Sequence, residues 1–122
     1  MLKRILVAVD GSASSWRAVE YACGLAALSK GTLIILTVQE DNGQDILSQA
    51  HAIMDGREEI EVEYVLENGS HPASKILEVE KRERCDTIVT GTRGLGTVEA
   101  MLRGSVSQTL MEEADVPLIV VK

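Results

Sequence analysis

The chain has no phenylalanine, one tryptophan and two tyrosines among its 122 residues. That excludes a core built on aromatic packing. Burial has to come from Val, Ile, Leu and Ala, and hydrophobic residues make up 45% of the chain. Val/Ile-rich runs of this kind are what strands buried on both faces look like. Cysteine is also scarce. Cys23 and Cys85 stand far apart, in neither metal nor redox spacing, and read as two small buried or half-buried thiols. No apolar run reaches membrane-spanning length. Positive charge is outnumbered, with 12 Lys and Arg against 19 Asp and Glu, a net charge of −7. A surface of that sign disfavours nucleic acid and anionic membrane as partners. An anionic ligand has to be drawn in by local groups. Met1-Leu2-Lys3-Arg4 runs straight into the first apolar segment, so no signal peptide is expected and the cytoplasm is the default compartment.

What is present describes one folded domain over residues 1–122. Charged residues at 25% are ordinary for a soluble globular chain and wrong for a disordered one. Lys3–Asp10 is a short apolar run ending at a turn and predicts a strand. From Ser12 to Ser29, Ala18, Val19, Ala22, Leu25 and Ala26 fall on one helical stripe, with Ser12 or Ser14 as the cap and Gly31 as the stop signal. Thr32–Val38 is a β-branched second strand, and Asp41–Asp55 returns to helical spacing. Ile60–Leu66 alternates apolar residues with Glu61 and Glu63, as an edge strand does. Pro72 opens a third helix to about Arg84, capped by Ser70 or His71. Asp86–Thr90 is a fourth strand. Gly104–Ala114 is a fourth helix with Ser107, Leu110, Met111 and Ala114 inward, and Pro117–Val121 is the fifth strand.

This alternation specifies an α/β fold, an open five-stranded parallel sheet with helices on both faces. Ligands of such sheets bind beyond the carboxyl ends of the strands, where the strand order reverses. The informative segments are therefore Asp10-Gly11-Ser12, Val38-Gln39-Glu40, Leu66–Ser70 and Thr90–Gly96. The last holds Gly91-Thr92-Arg93-Gly94-Leu95-Gly96, and nine residues separate Gly94 from Gly104-Ser105. Glycines let the backbone approach a ligand, and successive free N–H groups form an anion nest. Gly104-Ser105-Val106-Ser107 adds a helix amino end with its unpaired donors and positive dipole. Arg93 and Arg103 supply local positive charge. The competing reading is a flexible connection followed by a serine-capped helix.

The pattern Gly91-x2-Gly94-x9-Gly104-Ser105 resembles that of the ATP-binding branch of the universal stress protein family. The resemblance extends to KRILVAVDGS at the start, Gly69-x-x-Pro72-Ala73 with Ile76-Leu77, and VPLIVV at the end. It implies a Rossmann-like sheet, related to adenine nucleotide alpha hydrolases, with strand order 3-2-1-4-5. It also implies an adenine nucleotide, ATP or else ADP or AMP, with any Mg²⁺ carried by its phosphates. Ala8 and Asp10 would face the nucleoside, Val38 would read adenine through its backbone, and Thr90 would lie against the ribose. Gly91, Thr92, Arg93 and Gly94 would wrap the phosphates, and Gly104, Ser105, Val106 and Ser107 would complete the cradle. The family's closing strand implies a homodimer through Pro117–Val121. The chain departs from the family in a shorter 39–59 stretch and in Arg103, where an apolar residue is common.

Three functions stay open on the residues. One is a regulatory module in which nucleotide orders the 91–103 loop and a partner reads that state. The second is a slow ATPase, although there is no P-loop lysine of the G-x4-G-K-[ST] kind and no nucleophile set beside a base. The third is a dimeric interaction module with no bound nucleotide. Asp10 reads either as a ligand-facing carboxylate or as a turn and cap residue. His51 and His71 read as surface or capping residues, and Trp16 as packing close to the ligand mouth.

Overall fold

The computed structural model describes residues 2–39, 42–69, 71–92 and 106–122. Strand and helix alternate through them: β1 (Arg4–Ala8), α1 (Ala13–Ser29), β2 (Thr32–Val38), α2 (Gly43–Met54), β3 (Glu61–Glu67), α3 (Pro72–Arg82), β4 (Thr87–Gly91), α4 (Val106–Glu113) and β5 (Leu118–Val121). The five strands form one parallel sheet in the order β3-β2-β1-β4-β5. None of the helices among the described residues is long and apolar enough to cross a membrane.

Each helix forms where the apolar spacing is helical, and local signals reinforce α1 and α3. α1 starts at Ser12, whose side chain accepts from the Ser15 N–H. α3 carries Pro72 in its first turn, where the missing N–H costs nothing. Its N-cap is His71, which makes no side-chain cap bond, and Ser70 lies outside the described residues.

The sheet splits the interior into two aliphatic layers. Ile5, Val7, Val9, Leu33, Ile35 and Val89 pack with Ala18, Val19 and Ala22 of α1 and with Ile46, Leu47 and Ala50 of α2. On the other face, Leu6, Ile34, Leu36, Val38 and Ile88 pack with Ile76, Leu77 and Val79 of α3 and Leu110 of α4. Leu33–Leu36 are fully buried on both faces, as their β-branched and aliphatic run requires. Each such side chain contributes about 1.5–3 kcal/mol of burial. The β1–α1–β2–α2–β3 path winds one way and the β3–α3–β4–α4–β5 path the other. The reversal therefore falls between β1 and β4.

One expectation needs correction. Met111 is 55% exposed, whereas Ser107 and Leu110 are buried. Among the described residues α4 packs chiefly on α3 and β5, so its buried stripe is narrow and Met111 falls outside it. β3 lies at the sheet edge and is half-buried, as its alternating sequence predicts.

Candidate functional site

A cavity of about 340 Å³ opens beyond the carboxyl ends of β1, β2 and β4, at the reversal of strand order. Its floor follows from the register. Ala8 stands level with Leu36 on one side and Thr90 on the other, and all three line the space. A methyl group between two larger neighbours leaves a hollow that a leucine would fill. Val38, Gln39 and Asn42 form the wall after β2, and Pro72 and Ile76 come from the start of α3. Val106 and Ser107 bring the amino end of α4 to the rim, and Asp10 and Ser15 close the side beside α1.

Asp10 does two things at once. Its Oδ1 accepts the Ser12 N–H at 2.9 Å, which shapes the turn through Gly11, whose φ is +89°. The same residue lines the cavity. The turn then hands over to the cap of α1, where the Ser15 N–H donates to Ser12 Oγ at 3.3 Å. The Ser15 hydroxyl donates to Ser12 O at 2.8 Å. These bonds set the α1 amino end against the end of β4.

Gly91 is required by that approach. A Cβ on it would lie 2.5 Å from Ser14 C, 2.6 Å from Ser14 O and 2.7 Å from Ser14 Oγ. Only a residue without a side chain lets α1 come so close. Beside it, Thr90 is buried and its hydroxyl donates to Gly91 O at 3.3 Å. The Thr92 N–H donates to Val121 O at 2.9 Å, so this donor belongs to the sheet ladder.

Seven of the expected site residues, Ala8, Asp10, Val38, Thr90, Gly91, Val106 and Ser107, meet around this one cavity. Thr92 lies next to it, bonded to β5. Arg93, Gly94, Gly104 and Ser105 lie outside the described residues. Gln39 and Gly69 line the cavity from the segments that follow β2 and β3. Ser15, Asn42 and Ile76 were not anticipated. Their common signal is position in or beside the first turn or two of a helix whose amino end reaches the carboxyl edge of the sheet.

The lining offers an apolar floor, one carboxylate, two amides and the hydroxyls of Ser15, Thr90 and Ser107. This suits a ligand with a flat apolar part and polar edges, and the volume lies at the small end of ligand pockets, about 300–1,000 Å³. The cysteines are buried elsewhere. Burial pushes the Cys85 thiol up to about 12 and raises Cys23 as well, so both are poor nucleophiles. His51 stacks on Tyr64 with ring centroids 3.6 Å apart, and Trp16 packs against the α1 side of the core. Neither lines the cavity. Among the described residues no group of three or more His, Cys, Asp or Glu is arranged to hold a metal ion.

The sequence model of the Universal stress protein family matches residues 1–122. The chain is 31% identical over 137 aligned positions to a universal stress protein of Thermus aquaticus, from the QAH/OAS sulfhydrylase 3' region, with all of both chains covered. Among solved structures it is similar to a universal stress protein from Archaeoglobus fulgidus, with 36% identity and a TM-score of 0.84. That match covers 99% of this chain and 44% of the other, so this chain spans less than half of that protein's length. It is also similar to a universal stress protein solved in complex with cAMP, with 29% identity, a TM-score of 0.85, and 98% and 96% of the two chains covered.

Proposed function

The chain belongs to the universal stress protein family, and from that premise we propose that it is a cytoplasmic regulatory protein that binds an adenine nucleotide, ATP first among them, in the cavity at the β1/β4 reversal. The observation that carries the reading is the cavity itself: Ala8, Asp10, Val38, Thr90, Gly91, Val106 and Ser107 come from distant parts of the chain and surround one space. A relative 29% identical to this chain is in complex with cAMP, an adenine nucleotide.

The base lies over the Ala8 hollow, with the Val38 backbone at its edge and Asp10 beside the nucleoside. The ribose rests against Thr90. The phosphates extend toward Gly91, Thr92, Arg93 and Gly94 and toward Gly104, Ser105, Val106 and Ser107. The amino end of α4 favours negative charge there through its free N–H groups and dipole. A magnesium ion arrives on the phosphates, since the described residues supply no cage for one. Of the 91–103 loop, Gly91 and Thr92 are already held in the sheet; nucleotide orders the remainder, and a partner protein reads the difference. The open edge of β5, with Pro117 before it, pairs two copies into a homodimer. β5 is bonded to β4 alone and all four of its residues are half-buried in the single chain.

The test is thermal unfolding with Mg·ATP, GTP and AMP, on the native chain and on Gly94→Val. Ligand at 100 times its Kd adds about 2.7 kcal/mol of stability. The reading expects a clear rise in Tm with ATP that Gly94→Val abolishes. No rise with any nucleotide would overturn it, leaving a dimeric interaction module.

A further inference from the structure

Asn42 is the N-cap of α2, a position where asparagine ordinarily turns its side-chain oxygen onto the N–H groups of the first turn. Here it does not. Its φ of −85° and ψ of 28° lie outside the extended region such a cap adopts, and its side chain makes no cap hydrogen bond. The residue stands in the wall of the cavity instead. The first turn of α2 holds it there. Gly43, the first residue of α2, packs so closely on Leu66 that a Cβ would collide with that side chain. The Ile46 N–H donates to Asn42 O at 3.2 Å, and the Gln39 N–H ties the end of β2 to Glu67 O at 3.1 Å. The backbone after Asn42 is thus anchored and the end of β2 is tied down at Gln39, while among the described residues the Asn42 side chain is given no cap bond and the residue lines the cavity past Val38.

An amide presents one donor and one acceptor side by side. The N7 and N6 edge of adenine offers the complementary acceptor and donor, whereas the corresponding edge of guanine offers two acceptors, N7 and O6. We propose that Asn42 is a specificity-determining residue that reads the N7/N6 edge of the base and makes the site select adenine over guanine. The proposal rests on the nucleotide-binding reading above. It adds a side-chain contact on the N7/N6 edge to the backbone contact at Val38.

The test is calorimetric titration with ATP, 7-deaza-ATP and GTP of the native chain, Asn42→Asp and Asn42→Ala. Asp keeps the shape but loses the donor, and Ala removes the group. Because the side chain caps nothing, neither change removes a helix bond, and a circular-dichroism melt checks that both variants fold. An amide pair at a rim belongs at the weaker end of bidentate base contacts, so the native chain should prefer ATP to each analogue by about five- to ten-fold. In Asn42→Ala the preference over 7-deaza-ATP should fall to about one and that over GTP should shrink; in Asn42→Asp the preference over 7-deaza-ATP should vanish or reverse, while ATP stays ahead of GTP because the carboxylate still accepts from adenine N6–H and meets two acceptors on guanine. The added charge also repels the phosphates of all three ligands, so the comparison is made between ligands within each variant. Equal binding of ATP and 7-deaza-ATP by the native chain, or an ATP preference over 7-deaza-ATP that survives in Asn42→Ala, would overturn this role and leave nucleotide binding intact. Failure of the native chain to bind any of the three would overturn the functional reading, and this proposal with it.

Discussion

Two glycine-to-alanine changes should move stability in opposite directions. Gly91→Ala puts a methyl group 2.5–2.7 Å from three atoms of Ser14, two of them backbone. No side-chain rotation relieves contact with a helix backbone, so α1 has to lift. It is held down by the buried Ala18, Val19 and Ala22 and by Arg17 Nε, which donates to Lys122 O at 2.6 Å. Overpacking of this kind costs about 1–3 kcal/mol, and contact with backbone belongs at the upper end. For a domain of this size that lowers Tm by roughly 10 °C. Gly24→Ala, in the exposed middle of the same helix, meets nothing within 4 Å. It should gain up to about 1 kcal/mol of helix propensity. Urea unfolding followed by circular dichroism reads both as shifts of midpoint at constant slope. A Gly91→Ala midpoint equal to or above that of the native chain would refute the close approach of α1 to β4. The comparison also shows why a substitution at Gly91 is a poor probe of phosphate binding: it damages the fold first.

The remaining predictions concern buried charge, thiols and assembly. Burial, with Asp115 beside it, raises the Glu80 carboxyl from its ordinary 4.5 to about 6, and among the described residues its Oε1 has no hydrogen-bond partner. The folded state then holds this proton more tightly than the unfolded chain, so stability should rise as pH falls from above 6 toward 4.5. Glu80→Gln should flatten that step and add about 2 kcal/mol at pH 7, measured by denaturant unfolding at both pH values; an unchanged pH profile would contradict it. Cys23 and Cys85, both buried with raised pKa, should resist a thiol reagent at pH 8 until guanidinium unfolds the chain; rapid labelling of the native protein would contradict their burial. Light scattering should give about twice the 13.2 kDa chain mass for the native protein and the single-chain mass for Val120→Lys at the open β5 edge. A native monomer would sink the homodimer.

The fold was readable because its core is aliphatic and its strands are short and pure. β2 runs from Thr32 to Val38, the same bounds the β-branched run marks, and Glu61 and Glu63 announced the edge position of β3. Other signals were right in place but different in cause. Gly31 marks the end of α1, yet the left-handed residue is Lys30, with φ 57°. Gly31 is needed because a Cβ there would collide with the carbonyl oxygens of Leu2 and Lys3. α3 stops at Arg82, two residues before the expected end, with Arg84 at φ 56° turning the chain into β4. The strand side of the site was legible from the rule that ligands gather at strand carboxyl ends. Ser15, Asn42 and Ile76 were not, because which face of a helix turn meets the cavity depends on how that helix is rotated on the sheet. That rotation is set by packing against distant residues such as Leu66 and Gly91.

The central claim is that the space between β1, β2 and β4 receives the nucleotide, and amide chemical-shift mapping with Mg·ATP tests it most directly. The account predicts that the largest shifts fall on Val9 and Asp10, Val38 and Gln39, Thr90 to Thr92, and Val106 and Ser107, with the far ends of the strands unmoved. Saturable shifts centred elsewhere, or none at millimolar nucleotide, would contradict it.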